Sequence, residues 1–432
     1  MHVATQATAS AIFVATYVLM ATGVVHRALA ALAGAVAMAT AGILFGFYPM
    51  AEVAASLDLD TLWLLFAMMA LVGLLRETGF FQFLAIRAAK LARGRPLVLF
   101  ISFGVTTAVA SMLLDNVTTL LTVIPVTISV TEILGIPAQP LILMEAVAAN
   151  VGGAATLVGD PPNILIGSAG GLTFNDFLTR AAPVALIALV FSLAVLLLRF
   201  RSQVEGRPEQ AETLRQMDER RAVSDPSTMK KLVGLLILTF VLFILHGPLG
   251  LPPGLVALIG ASLGIYVLRP SVETFLRGVE WDLLIFLGSL FVLTGGLERS
   301  GVLNVLSRGI VRATGSSPLV LALMVLWVGA ILSWFLSSVP AAVTLVGLVR
   351  GVAGAGVPVT PLWWALALGV GLGASGSPLG SASNLIAQAL AQRSRYPLSA
   401  RLWLREAGLL TVATCAMASL FVWLGVITGW YL

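Results

Sequence analysis

The chain has 432 residues, 59% hydrophobic and only 10% charged, with a mean hydropathy of +1.00. Soluble domains carry about 25% charged residues, so the composition excludes a soluble domain and marks an integral membrane protein. The net charge of +5 sits in short connectors, where the positive-inside rule accounts for it without any nucleic-acid partner, and one cysteine with three histidines excludes a disulfide framework and a metal cluster.

A membrane-crossing helix needs roughly 20 apolar residues. In chain order the sequence predicts ordinary spans over 10–25, 28–47, 61–75, 181–198, 232–245, 255–268, 283–297 and 407–424. The stretch from Val3 to Val25 is uncharged and lacks a basic leader, so it reads as a retained first span. Three regions are different. Residues 96–131 are uncharged except for Asp115, residues 313–349 have no charge over 37 positions, and residues 351–392 have none over 42. At ~1.5 Å per residue such runs are too long for one crossing and awkward for two with a loop. They predict re-entrant hairpins with two half-length arms, at 97–132 and 317–352, and broken helices at 140–170 and 361–391.

Basic clusters set the expected orientation. These are Arg87, Lys90, Arg93 and Arg95; Arg199, Arg201, Arg207, Arg215, Arg220, Arg221, Lys230 and Lys231; and Arg393, Arg395, Arg401 and Arg405. All three are expected in the cytoplasm, with the 201–231 linker, and the N-terminus outside. The protein is expected in the inner (plasma) membrane as a multi-pass chain.

The second half echoes the first. "DTLWLLFAMMALVGLLRETG" (60–79) aligns with "DLLIFLGSLFVLTGGLERSG" (282–301), and "LDNVTTLLTVIP" from Leu114 aligns with "LSSVPAAVTLVG" from Leu336 at the same offset. "GGAATLVGDPPN" (152–163) aligns with "GASGSPLGSASN" (373–384), shifted by one. The first of these helices runs inward and its partner outward, so the halves, 1–200 and 232–432, are inverted. The fold expected is an all-α polytopic membrane protein: an inverted repeat with about ten spanning helices, two re-entrant hairpins and two broken helices. Inverted repeats with matching interruptions point to a secondary transporter with its site at the interruptions.

Lipid cannot satisfy free backbone groups, so a broken helix must face protein or a wet cavity. Pro161 and Pro162 remove two donors and Gly159 lets the chain turn. Polar residues gather at four points. One hairpin tip has Asp115, Asn116, Thr118 and Thr119; one break has Gly159, Asp160 and Asn163. The matching tip has Ser337 and Ser338; the matching break has Ser377, Gly380, Ser381, Ser383 and Asn384. If tips and breaks meet near the pseudo-twofold axis they form one central pocket. Asp115 and Asp160 align with serines, so both acids belong to the first half, as expected of groups that handle a proton or cation; the lesser alternative is that each merely caps a half-helix N-terminus, and the two roles are compatible. Glu145 is a weaker candidate of the same kind. Trp281, Trp363 and Trp364 read as interfacial anchors.

"LLDNVTTLLTVIPVTI" followed by "EAVAANVGGAATLVGDPPNILIGSAGGLTFNDFL" resembles the arsenite-permease and P-protein branch of the ion transporter superfamily. The resemblance is specific over about residues 110–180. It implies separate scaffold and transport parts and a homodimer, and it makes Asp115, Asn116, Thr118, Asp160 and Asn163 site residues with Ser338, Ser381 and Asn384 as partners. Asp-Asn-Val and Ser-Ser-Val stand at the tips where dicarboxylate carriers of the superfamily have Ser-Asn-Thr, which disfavours sodium–dicarboxylate symport.

The function expected is secondary active transport of a small inorganic solute, arsenite or antimonite, exported against proton entry by an elevator or rocking cycle. A sodium/proton antiporter and a carrier of small inorganic or organic anions are the alternatives. No HExxH, GxSxG or GxxxxGK[ST] motif is present. No enzyme activity and no cofactor are expected beyond the proton gradient, or sodium in its place, and an ATPase partner would be a separate chain.

Overall fold

The computed structural model describes residues 2–92, 95–203, 219–315 and 317–431, and among these it contains helices and turns only. Arg93, Arg207 and Arg215 of the basic clusters, and most of the linker, lie outside the described residues. The first half contains α1 (His2–Thr22), α2 (Arg27–Leu44), α3 (Met50–Ala55), α4 (Leu59–Glu77), α5 (Phe80–Leu91), α6 (Pro96–Leu113), α7 (Asn116–Leu134), α8 (Gln139–Gly153), α9 (Pro161–Gly170) and α10 (Phe174–Gln203). The second contains α11 (Pro226–Leu249), α12 (Pro253–Leu268), α13 (Val272–Arg277), α14 (Trp281–Arg299), α15 (Val302–Thr314), α16 (Pro318–Leu336), α17 (Ser338–Ala353), α18 (Thr360–Gly373), α19 (Ala382–Ala391) and α20 (Ala400–Ile427).

The two sets match helix for helix. Both α10 and α20 carry a π turn near the start, at Phe177–Ala181 and Leu404–Gly408. Gly79 and Gly301 take the same left-handed conformation (φ 79° and 82°) to turn the chain from α4 into α5 and from α14 into α15. With α8 and α9 counted together as one broken crossing, the first half has five crossings without its hairpin arms and seven with them, an odd number either way, which inverts the second half.

Among the described residues ten helices are long and apolar enough to cross a membrane. The number agrees with expectation but the membership does not, because three of the ten are hairpin arms: α6, α7 and α16. The arms are not half-length. They have 18 and 19 residues in the first hairpin and 19 and 16 in the second, or roughly 24–29 Å each. The physical reason is the turn. Only Leu114 and Asp115, or Ser337 alone, separate the arms, so almost the whole uncharged run is helix.

Helices pack in two groups. In one, α2 lies along α14 and α12 along α4, each pair joining opposite halves. The ends of the short helices cross closely over this group: a Cβ on Gly73 of α4 would meet the Gly278 Cα just after α13 at 2.5 Å, and one on Gly295 of α14 would meet the Ser56 Cβ just after α3 at 2.8 Å. In the other group α6 lies on α8 and α16 on α18, while α9 packs on α17 and α19 on α7, again exchanging partners between halves. We call the first the scaffold and the second the hairpin group. Trp363 and Trp364 are buried at 5% and 0% exposure, where Trp364 meets Phe177 and Tyr431. They are packing residues, not interfacial anchors. Trp281 is exposed at 48%, as an anchor would be.

Candidate functional site: two tips and two breaks

Each break is closed by one asparagine. The Asn163 Nδ2 donates to the Gly153 carbonyl (3.0 Å) and the Thr156 carbonyl (2.8 Å). The Asn384 Nδ2 donates to the equivalent carbonyls of Ala374 and Ser377, both at 2.8 Å. These carbonyls lie at and just beyond the ends of α8 and α18, where the regular helical ladder stops; that of Ser377 also accepts from the Gly380 N–H at 3.1 Å. The breaks are also tied to the tips. The Thr156 Oγ1 donates to the Met112 carbonyl at 2.5 Å, and the Ser377 Oγ to the Trp334 carbonyl at 2.6 Å. Tip and break in each half are therefore one unit.

The two units differ in their carboxyls. Asp115 caps α7, its Oδ1 accepting from the Thr118 N–H at 2.7 Å. Asp160 stands at the N-cap of α9 but accepts no capping bond, and its Oδ2 is buried without a partner; the residue is 6% exposed. Its counterpart Ser381 does cap, accepting from the Asn384 N–H at 3.2 Å. Of the two readings left open for the aspartates, the cap holds for Asp115 and not for Asp160. Asp115 and Asp160 lie near enough for their charges to interact, and Asp115 also feels Arg76 and Glu280 at the ends of α4 and α14.

Around the first break, oxygens converge. A Cβ placed on Gly159 would lie 2.7 Å from the Gly153 carbonyl oxygen, 2.9 Å from that of Ser111 and 2.9 Å from the Thr156 Oγ1. The Ser111 hydroxyl donates to the Asn116 Oδ1, and Asn116 lies against Gly153. Thr118 and Thr119 are buried in the first turn of α7, where the Thr119 Oγ1 returns to the Asp115 carbonyl at 3.0 Å. At the second tip, Ser337 adopts φ 72°, rare for a residue with a side chain, and makes no capping bond; Ser338 is buried.

The four points do not simply face one another across a pocket. The breaks touch directly, through a residue the sequence reading passed over. Asn150 on α8 donates from Nδ2 to the Asn384 Oδ1 (2.8 Å) and accepts from the Ser381 Oγ (3.2 Å), which also pairs with the Ser383 Oγ (2.7 Å). The signal was present: Asn150 is an amide inside the apolar run "EAVAANVGG". Glu145 lies apart from the breaks. It is fully buried on α8, accepts from the Thr127 hydroxyl of α7, and keeps its Oε2 unpartnered. A cavity of about 20 Å³ separates Asp115 and Pro161 from α4. One of about 360 Å³ lies beyond the breaks, between the scaffold residues Glu52 and Arg299 and the hairpin-group residues Ser168 and Arg350.

The scaffold is not placed symmetrically against this site. Glu280 and Asp58 are equivalent positions. Glu280 interacts with the tip residue Asp115, whereas Asp58 accepts from Ser168 on α9 at 2.5 Å instead of meeting the other tip. The two ends of the scaffold therefore meet the hairpin group through different partners.

Comparison with known proteins agrees with this architecture. The citrate transporter family model (CitMHS) matches residues 17–369. The chain belongs to that family. An uncharacterized transporter of Mycobacterium tuberculosis is 38% identical over 96% of this chain and 97% of its own length. The 46 kDa membrane protein of Mycobacterium leprae is 36% identical over 96% and 97%. The human P protein, a longer chain, is 28% identical over 99% of this chain and 61% of its own. Among solved structures, the YdaH transporter of Alcanivorax borkumensis superposes with a TM-score of 0.58 at 15% identity, covering 88% of each chain. That likeness concerns the fold. As a member of the citrate transporter family, this chain is a multi-pass membrane transporter.

Proposed function

We propose that this citrate-transporter-family member is a proton-coupled secondary transporter in which Asp160 carries the proton and the solute is arsenite or antimonite, moving out of the cell as the proton moves in. The observation that carries the reading is Asp160 itself: a carboxyl oxygen buried at a helix break, without the capping bond that its serine counterpart accepts. A group that exchanges a proton must not be committed to a structural bond. Arsenite at neutral pH is an uncharged trihydroxide. Hydroxyls, amides and carbonyls suit it, and neither tip nor break carries a lysine or arginine to select an anion.

The family's name suggests citrate. A free tricarboxylate would meet Asp115 and Asp160 with like charge, so citrate would have to enter protonated or paired with a divalent cation. Sodium/proton exchange is the second reading, favoured by the oxygens converging on Gly159. An elevator or rocking cycle would carry the hairpin group along the scaffold between its two access states.

Proteoliposomes containing a pH-sensitive dye test these readings. Arsenite, sodium, and citrate with or without magnesium are added singly to wild type and to Asp160→Asn. Proton movement driven by arsenite alone and lost in the variant is the expected result. A response to sodium alone, or to citrate with magnesium alone, overturns the arsenite assignment. An unchanged response in Asp160→Asn removes Asp160 from the coupling role.

A further inference from the structure

The internal repeat allows each polar atom of one break to be compared with its twin in the other. Asn163 and Asn384 are twins, and both give their amide hydrogens to carbonyls of their own break, which fixes where each amide oxygen points. The fates of those oxygens differ. The Asn384 Oδ1 accepts from the Asn150 Nδ2, whereas the Asn163 Oδ1 is buried with no donor. The next pair of twins repeats the difference. The Ser381 Oγ donates to the Asn150 Oδ1, whereas the Asp160 Oδ2 has no partner. The asparagine difference traces to one position, because Asn150 aligns with Gly371, which has no side chain to offer; the Ser381 Oγ has the Asn384 N–H and the Ser383 Oγ as partners besides Asn150.

Buried acceptors without donors are rare in folded proteins and call for an occupant. Two acceptors on adjacent turns of one break, one of them a carboxylate, suit a cation or proton. In the second break the Asn150 amide meets both positions, donating to the Asn384 Oδ1 and accepting from the Ser381 Oγ, whose own acceptor need is met by the Asn384 N–H.

We infer that Asn150 is a built-in occupant of the second break: its amide takes the place that a coupling cation would take there, and so confines ion coupling to the first break. The inference rests on the proposed coupling role of the first break and adds to it a stoichiometry, one ion-binding break per chain where the repeat would otherwise supply two. It also fixes what removing Asn150 does. The Asn384 Oδ1, with the hydroxyls of Ser381 and Ser383, becomes an all-neutral oxygen set able to hold sodium or lithium.

Thermal unfolding of the purified full-length protein in detergent tests this, with sodium, lithium or choline chloride at matched ionic strength. The variants are Asn150→Ala, Asp160→Asn and the double variant, with Asn150→Gly as a second form because glycine is what the twin position carries. The expected result is a rise in Tm with sodium or lithium in Asn150→Ala or Asn150→Gly that persists when Asp160→Asn is added, which places the gained site at the second break. Folded Asn150 variants with no gained response, or with a gain abolished by Asp160→Asn, overturn the inference. So does failure of both Asn150 variants to fold, since Asn150 is then a strut. The proton-flux experiment on Asp160→Asn judges the coupling role of the first break separately.

Discussion

Thr156 and Ser377 hold the two hairpins by the same bond, each giving its hydroxyl proton to a carbonyl near the end of a hairpin's first arm, Met112 one residue before the end of α6 and Trp334 two before the end of α16. The carbonyls near the end of α6 and α16 lack helical donors, and the breaks supply them. Replacing Thr156 by Val, or Ser377 by Ala, leaves a buried carbonyl unsatisfied. Each should cost about 1–3 kcal/mol, read as a lower Tm of the purified protein. Losses below a few tenths of a kcal/mol would show that water replaces the hydroxyl.

Asp115 combines a charge with a cap, and two substitutions separate them. Asparagine and serine cap helices about as well as aspartate, whereas alanine costs roughly 1 kcal/mol. Asp115→Asn is therefore expected to keep its Tm, and Asp115→Ala to lose stability. If Asp115 assists Asp160 through charge, proton flux falls in both variants. If the cap is its whole role, flux follows Tm.

The scaffold crossing at Gly73 should be less forgiving than its twin. A methyl on Gly73 would strike the backbone of Gly278, while on Gly295 it would strike the side chains of Tyr48 and Ser56. Side chains yield more readily than backbone. Overpacking costs typically 1–3 kcal/mol, and Gly73→Ala is expected at the upper end with Gly295→Ala below it. The reverse order in thermal unfolding would count against the crossing described here.

Thr127 is the hydrogen-bond partner of Glu145. Thr127→Val keeps the shape and removes the donor, leaving a wholly buried carboxyl with neither oxygen satisfied. A loss of about 1–3 kcal/mol is expected, while Thr127→Ser should retain most of the wild-type Tm.

At the start of α11, Asp225 accepts from the backbone of Ser227 (2.9 Å) and Thr228 (3.2 Å) and from the Thr228 hydroxyl (2.6 Å). The Thr228 hydroxyl above all, then these N–H groups, hold its carboxyl below the usual aspartate range. A carboxyl lowered in the folded state stabilises above its unfolded pKa of about 3.9, and the contribution fades as pH falls through the folded value. Amide exchange in the first turn of α11 should accelerate on acidification below about pH 4. In Asp225→Asn that dependence should disappear.

Much of the architecture is legible in the residues. Long uncharged runs give the hairpins, Pro161 and Pro162 give one break, and the repeated glycines and polar positions give the inversion. The second hairpin, expected at 317–352, runs from Pro318 to Ala353 and so passes Arg350, because an arginine at a helix end can extend its charge to the interface. Trp363 and Trp364 misled: tryptophan suits an interface and a core equally, and only packing chooses.

By itself the sequence determined that the chain lies in a membrane, that it is built from two inverted halves, and that polar groups interrupt its helices at four matching points. These follow from composition, from the length a helix needs to cross lipid, and from the cost of unpaired backbone in lipid. Only the tertiary structure decided that Asp115 caps while Asp160 does not, that Asn150 joins the two breaks, and that the scaffold meets the halves unequally. Each of these depends on which donor lies within hydrogen-bond reach of which acceptor. In this chain the deciding partners, Asn150 with Asn384 and Asp58 with Ser168, are far apart in sequence and meet only when the helices pack.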